Sequence, residues 1–163
     1  MLLLISDANI LIDMEEGDLL EPMFQLPYEF HIPDILFAEE LEAQHSHLLT
    51  RGLVLAELDS DVMLHAMELT ARYTKPSRND CFALALAEQK QCPLLTGDSA
   101  LRAAAESEAV MVQGTLWLVK MLAKRQLIST DEARAAYRKM RKARRRLPWE
   151  LADAALRALE SEL

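Results

Sequence analysis

The stretch PSRNDCFALALAEQKQCPLLTGDSALR, residues 76–102, decides the fold. It starts with Ser77 and Asp80, a pairing typical of a helix start, and continues through a run of Ala and Leu that predicts a buried helix. A short apolar run at 94–96 then predicts a strand without an exposed face. A glycine permits a sharp turn before Asp98, which opens the next helix. Helix, buried strand and helix in succession predict an α/β domain with a parallel sheet.

The rest of the chain repeats this alternation. Strands are predicted at 2–6, 30–32, 54–58, 94–96 and 110–112. Helical patterns are found at 10–14, 19–26, 36–47, 61–73, 77–90, 99–106, 115–125, 131–145 and 149–159. We therefore predict a single α/β domain over residues 1–163, with a central, mostly parallel five-stranded sheet and a basic helical C-terminal extension at about 129–163.

Several acidic residues fall near predicted strand ends and helix starts. Asp7 directly follows the first strand, and Asp98 follows the fourth. Asp80 lies in the first turn of a helix, while Glu39 and Glu40 lie in the helix after the second strand. Sites of open parallel sheets form beyond the carboxyl ends of the strands, so we expect these acids to converge at one edge. Each also has a purely structural alternative, as a helix cap, a turn residue or an exposed helix residue.

Carboxylates gathered in one pocket predict a bound cation. They repel one another, and some stay protonated unless a positive charge neutralises them. Oxygen ligands without His or Cys suit Mg²⁺ or Mn²⁺. Such clusters serve in phosphodiester hydrolysis, where one ion activates water and a second, roughly 3.5–4 Å away, stabilises the leaving oxygen.

Four motifs, in this order and context, resemble those of the PIN-domain nucleases. They are ISDANILID (5–13), IPDILFAEEL (32–41), SRNDCFALALA (77–87) and LLTGDSALR (94–102), and VQGTLWLVKMLAKRQLIS (112–129) resembles the continuation in one bacterial and archaeal branch. The resemblance covers about the whole chain. It places the family's catalytic, metal-holding acids on Asp7, Glu40, Asp80 and Asp98. Glu39 is the alternative to Glu40, because a shift of one residue exchanges them and a helix turns them about 100° apart.

The same resemblance implies further features. Asn9, Ser77 and Thr96 match polar positions near the family's site, where they are expected to position water or carboxylates. The implied fold is a three-layer α/β/α arrangement, and the implied activity is metal-dependent cleavage of RNA. Many members are VapC-like toxins, which form homodimers and are blocked by a small antitoxin protein.

A basic segment contrasts with an acidic body. Residues 120–146 include eleven Lys or Arg and two acids, whereas the rest of the chain has seven basic and 24 acidic residues. The spacing of Arg134, Arg138, Arg141 and Arg145 predicts one stripe along a helix. For a nuclease, this stripe would contact RNA phosphates without reading sequence. The alternatives are pairing with the protein's own acids, with an acidic antitoxin or with a second subunit.

Other residue patterns point away from zinc and membranes. No Cys or His pair has zinc-site spacing, and His45 and His47 are expected on different faces of a helix, at the surface. Asp13 is expected to be solvated. No apolar run approaches the roughly 18 residues of a membrane helix. With Cys81 and Cys92 expected as reduced thiols, we predict a cytoplasmic protein without membrane contact.

Two other functions compete with a nuclease. The chain could be a non-catalytic PIN-like module that binds RNA or a partner protein, although all four acids are present. It could also be a phosphatase that forms an aspartyl-phosphate. That chemistry usually places a second Asp two residues after the nucleophile, and Asn9 occupies this position.

Overall fold

Five parallel strands form one sheet in the order β3-β2-β1-β4-β5. The computed structural model describes residues 2–162, so the two terminal residues of the predicted domain lie outside the described part. The strands are β1 (Leu2–Ser6), β2 (Tyr28–Pro33), β3 (Val54–Ala56), β4 (Leu94–Leu95) and β5 (Val112–Gln113). All neighbouring strands are parallel, which confirms the predicted α/β class, and the strand ends shift by a few residues from those expected.

Helices cover both faces of this sheet. Those found within residues 2–162 are α1 (Ala8–Glu16), α2 (Leu20–Met23), α3 (Asp34–Glu40), α4 (Glu42–His45), α5 (Leu48–Arg51), α6 (Ser60–Arg72), α7 (Arg78–Lys90), α8 (Ser99–Ser107), α9 (Thr115–Lys124), α10 (Thr130–Lys142) and α11 (Trp149–Glu162). The right-handed rule for crossovers between parallel strands puts the helices between β1 and β3 on one face and α6, α7 and α8 on the other. None of the helices in the described chain is long and apolar enough to cross a membrane.

The core is centred on β1 and α7. All residues of α7 from 81 to 87 are buried, and this helix packs against β1, β2, β4 and α6. Its alternating Ala and Leu side chains allow it to lie close to the sheet. Leu4, Ile5 and Ser6 of β1 are all buried, because a central parallel strand is covered on both faces.

The C-terminal helices pack onto the face that carries α1. Helix α10 contacts α1 and α9, and α11 contacts α9 and α10. The end of α1 approaches α10 so closely that a Cβ on Gly17 would lie 2.5 Å from the Met140 methyl carbon. Tyr137 and Trp149 pack edge to face between α10 and α11. The basic extension is therefore docked on the sheet domain.

The single helix predicted at 36–47 is wrong. The structure divides this region into α3 and α4, and α5 begins only at Leu48. The break occurs at Leu41, whose backbone (φ −123°, ψ −29°) leaves helical geometry while its side chain is fully buried. The buried positions keep a helical period across the break, so the hydrophobic pattern alone could not locate it.

Candidate active site

The candidate site lies where the strand order reverses, between β1 and β4. These two strands are neighbours in the sheet, but the chain proceeds from them in opposite directions, to β2 and to β5. A crevice forms at such a switch point beyond the carboxyl ends of the strands. Asp7 directly follows β1, and Thr96 directly follows β4. The backbone N–H of Asp7 donates to the Leu95 carbonyl over 3.0 Å, which fixes the two segments side by side.

Asp7 is buried and held by two donors. Its Oδ1 caps α1 by accepting the Ile10 N–H over 3.0 Å, and its Oδ2 accepts the Thr96 hydroxyl over 2.5 Å. Desolvation raises the pKa of Asp7 from 3.8 to about 6, although both hydrogen bonds lower it, and the charges of Asp80 and Asp13 raise it further. A nearby cation would stabilise the charged form of such an acid.

Thr96 connects Asp7 to Asp98. While its hydroxyl donates to Asp7, its Oγ1 accepts the Asp98 N–H over 3.0 Å. Asp98 Oδ1 caps α8 by accepting the N–H groups of Ala100 and Leu101 over 2.7 Å and 3.1 Å. The carboxyl groups that follow β1 and β4 are therefore positioned by one shared hydroxyl.

Asp80 interacts through its charge with both of these acids. It forms a capping box at the start of α7, where the Asp80 N–H donates to Ser77 Oγ and the Ser77 N–H donates to Asp80 Oδ2, both over 3.0 Å. Desolvation raises the pKa of Asp80, the hydrogen bonds with Ser77 lower it, and the charge of Asp98 raises it. Asp80 and Asp98 are thus near enough to repel each other.

Glu39 and Glu40 meet α7 at the rim of the site. The Asn79 amide donates to both carboxylates over 2.9 Å. Arg78 donates to Glu39 over 2.6 Å, and hydrogen bonds from Asn79 and Arg78 lower the pKa of Glu39. Both glutamates are exposed, but in the described structure only Glu39 forms an ion pair with a basic side chain. Asn79 was missed by the sequence analysis; its place between Ser77 and Asp80 is the one signal that could have indicated it.

The oxygen atoms at this edge of the sheet are suitable ligands for a hard divalent cation. Asp7 and Asp98 each cap a helix with Oδ1, and Asp80 accepts the Ser77 N–H with Oδ2, so each acid has a second oxygen outside its cap. In residues 2–162, Asp80 Oδ1 and Asp98 Oδ2 accept no hydrogen bond from the protein, and the buried Asn79 Oδ1 is also unpaired. The four acids do not form a closed cluster: the groups in the described chain whose ligand atoms lie within 4.8 Å of one another are elsewhere.

Asp13 corrects the expectation of a solvated residue. Its side chain is buried and accepts the Thr115 hydroxyl over 2.8 Å and the Arg145 Nε–H over 2.6 Å. Arg145 Nη2 also donates to Asn9 Oδ1 over 3.2 Å. A charged carboxylate can stay buried there because an arginine neutralises it. The sequence showed no sign of this pair, whose members are 132 residues apart.

A cleft is lined by this ion pair together with Asp98. Its volume is about 540 Å³, and its lining also includes Ser99, Arg144 and Arg146; we call Arg144, Arg145 and Arg146 its basic wall. Oxygen ligands and guanidinium groups therefore face the same open space. This arrangement can hold a cation and a phosphate group side by side.

The sequence matches the PIN domain family over residues 3–161, almost the whole chain. The chain belongs to the PIN-domain family. Among curated proteins, no sequence matches at a significant level. A PilT N-terminus domain protein from Sulfolobus solfataricus P2 is similar in fold to this PIN domain, with a TM-score of 0.50, 14% identity, and coverage of 75% of this chain and 93% of the other. A toxin–antitoxin complex from Klebsiella pneumoniae aligns with a TM-score of 0.47, 21% identity, and coverage of 58% and 86%.

The arginines of the predicted stripe have different surroundings in this PIN domain. Arg134 is paired with Glu160 of α11, and Arg145 with Asp13. Arg141 lies 5.7 Å from the centre of the Trp149 ring, and Arg138 is exposed. The predicted helix at 131–145 ends earlier, at Lys142, and the positive φ of 63° at Arg144 turns the chain toward the cleft. Arg145 therefore leaves the stripe and belongs to the candidate site.

Proposed function

We propose that this PIN domain is a Mg²⁺- or Mn²⁺-dependent ribonuclease. The proposal is supported chiefly by the placement of Asp7 and Asp98 after β1 and β4, where both are hydrogen-bonded to Thr96, and by the charge of Asp80, which acts on both. With Glu40 from the rim, these acids would hold the cation and form the catalytic set.

The cation, when bound, would supply an activated water for attack on an RNA phosphodiester. The chain's own residues would prepare its ligands. Thr96 orients Asp7, Ser77 orients Asp80, and Asn79 orients Glu40.

We assign RNA contacts to the basic wall of the cleft. Arg144 and Arg146 line this wall and are exposed, so they can reach the phosphates on either side of a bond held near Asp98. Arg138 and Arg141 extend the basic surface along α10, whereas Arg134 and Arg145 are occupied by internal acids. Such contacts attract any RNA and do not select a sequence.

Removing Arg144 and Arg146 together by substitution with Ala is expected to weaken RNA binding about tenfold or more at low salt. The salt dependence of binding should also become shallower, because fewer counterions are released. Fluorescence anisotropy with a single-stranded RNA at several salt concentrations measures both effects. Arg51→Ala, at an exposed site in α5, is the matched control. Equal affinities of the double variant and this control for RNA would show that the basic wall does not contact RNA.

Cleavage of single-stranded RNA is expected to require Mg²⁺ or Mn²⁺ and to stop in EDTA. Glu40→Gln should lower the cleavage rate at least about tenfold. In the described structure Arg78 pairs with Glu39 and no basic side chain pairs with Glu40, so Glu40 can serve as a metal ligand. Glu39→Gln, its neighbour and matched control, should change the rate far less. Cleavage that persists in EDTA would contradict the proposal. RNA binding without cleavage or metal binding would instead favour a non-catalytic module.

The same proposal extends to a toxin of a toxin–antitoxin pair, acting as a homodimer in the cytoplasm. This step rests on the resemblance of the chain to the PIN-domain nucleases, many members of which are VapC-like toxins. Expression of the chain should then arrest bacterial growth, and the Asp98→Asn variant should not. Growth unaffected by the active chain would contradict the toxin role and leave the nuclease assignment intact.

A further inference from the structure

Glu15, His45 and His47 form a cluster away from the candidate active site. His45 Nδ1 contacts one carboxylate oxygen of Glu15, and His47 Nε2 contacts the other. Glu15 lies at the end of α1, 30 and 32 positions before the two histidines. The expectation that the histidines point to different faces of a helix is wrong, because α4 ends at His45, His47 lies in the turn before α5, and both rings contact Glu15.

The three ligand atoms are arranged as a chelate. One atom from each side chain, two imidazole nitrogens and a carboxylate oxygen, lies within 4.8 Å of the others. The side chains of His45 and Glu15 are 16% and 24% exposed, whereas that of His47 is 47% exposed. The cluster is therefore anchored on its inner side and open to solvent on its outer side.

We propose that Glu15, His45 and His47 bind a Zn²⁺ ion. Two imidazoles and one carboxylate are a common protein ligand set for zinc, and the exposed side of the cluster gives room for a water as fourth ligand. Nitrogen ligands favour Zn²⁺ over Mg²⁺ and Mn²⁺, which the all-oxygen candidate active site would prefer. The chain would thus hold two kinds of cation at separate places.

A second cluster illustrates what distinguishes this one. His65, Glu88 and Glu108 also bring three ligand atoms within 4.8 Å. There, however, Glu108 already accepts hydrogen bonds from Arg72 over 2.7 Å and from Tyr73. Only one imidazole is present, and an arginine neutralises one of the carboxylates. We therefore expect this cluster to bind a divalent ion only weakly. In contrast, no Lys or Arg in the described chain forms an ion pair with Glu15.

The ion would brace a weakly supported part of the fold. Helices α4 and α5 have four residues each and no side-chain cap at their N-termini. They follow α3 directly, and α3 carries Glu39 and Glu40. A bond from the end of α1 to residues 45 and 47 would tie this segment to the helix that Asp7 caps. The expected effect is on stability, and the inference does not depend on nuclease activity.

Zn²⁺ titrated into the full chain in excess Mg²⁺ is expected to bind one high-affinity site. Isothermal titration calorimetry gives the stoichiometry, and Co²⁺ in place of Zn²⁺ gives the absorption bands of a four-coordinate ion. Free Zn²⁺ at a hundredfold excess over Kd should raise the melting temperature by roughly 5–10 °C. His47→Ala, at the more exposed ligand and so with little risk to folding, should weaken binding at least about tenfold.

Two matched controls test the assignment. Glu16→Gln changes the exposed neighbour of Glu15 on α1, and His65→Ala removes a histidine from the second cluster. Both should bind Zn²⁺ as the unmodified chain does. Zinc binding that is absent, or that is unchanged in His47→Ala, would overturn the proposal and leave simple His–Glu pairing. Repeating the titration with Asp98→Asn separates this site from the candidate active site, because the zinc signal should persist there.

Discussion

Asp7→Asn is expected to abolish RNA cleavage and, in metal-free buffer, to raise the stability of the fold. Asp7 is the most buried of the candidate ligands, so its loss should lower the cleavage rate by more than the 10–100-fold that follows from changing a supporting residue of a metal site. The gain in stability has a separate cause. Burial penalises the charged carboxylate, and Asn has nearly the same shape without the charge.

The stability gained by Asp7→Asn depends on pH. The pKa of Asp7 is about 6 in the folded chain against 3.8 for the ordinary group, so the folded state binds the proton more tightly. Below about pH 4 the penalty is absent. It grows as pH rises from about 4 to about 6 and is constant above that, at up to roughly 3 kcal/mol. We expect Asn to recover about 2 kcal/mol at pH 7, since its amide must replace the hydrogen bond with Thr96.

Thermal unfolding at several pH values measures this gain, with a melting temperature roughly 4–8 °C higher for Asp7→Asn at pH 7. Mg²⁺ should stabilise the unmodified chain more than the variant, because it binds the carboxylate that the variant lacks. Asp131→Asn, at an exposed position of α10, is the control and should change stability by less than about 1 kcal/mol, because its ion pair with Arg134 is exposed to solvent. A variant that cleaves RNA normally, or whose gain in stability over the unmodified chain is no larger at pH 7 than at pH 4, would contradict the assignment.

Arg145→Ala is expected to lower the free energy of unfolding by about 3 kcal/mol. The side chains of Arg145 and Asp13 are 23% and 7% exposed, so the substitution leaves a buried carboxylate with only the Thr115 hydroxyl as partner. Removing one member of a buried pair typically costs about 3–5 kcal/mol, and the partial exposure of Arg145 places this case at the lower end. The link from residues 144–147 to α1 would be lost as well.

A double-mutant cycle separates this pair from a general effect of charge. Asp13→Asn in the Arg145→Ala background should restore part of the stability, because the uncompensated charge is removed. Denaturant unfolding of the four chains gives the coupling energy. Arg138→Ala, an exposed arginine of α10, should have an effect within about 0.5 kcal/mol. Additive effects of the two substitutions would show that Arg145 and Asp13 do not depend on each other.

The sequence was sufficient to predict those features that depend on residues near one another in the chain. Asp7 and Asp98 could be placed because each follows an apolar strand, and the carboxyl ends of parallel strands meet at one edge. Ser77 and Asp80 could be placed because a capping box is a local pattern, and the structure confirms that box. The predicted sheet is confirmed for the same reason, since buried strands alternate with helices along the chain.

Features that depend on distant contacts could not be predicted. The pairing of Arg145 with Asp13 requires α10 to end at Lys142 and its following residues to turn back onto α1. His45 and His47 meet at Glu15, which is 30 and 32 residues away along the chain, and the hydrophobic period does not reveal this contact. Asn79 holds two glutamates from another helix, and only tertiary packing brings these side chains together.

The lengths of the outermost strands limit how copies of this protein can join. β3 has three residues and β5 has two, so each border of the sheet exposes few unpaired backbone groups. Strands this short are poor templates for adding a strand from another chain, and natural proteins use them to avoid edge-to-edge aggregation. A stable pair of subunits would therefore have to associate through helix surfaces, with the two sheets remaining separate.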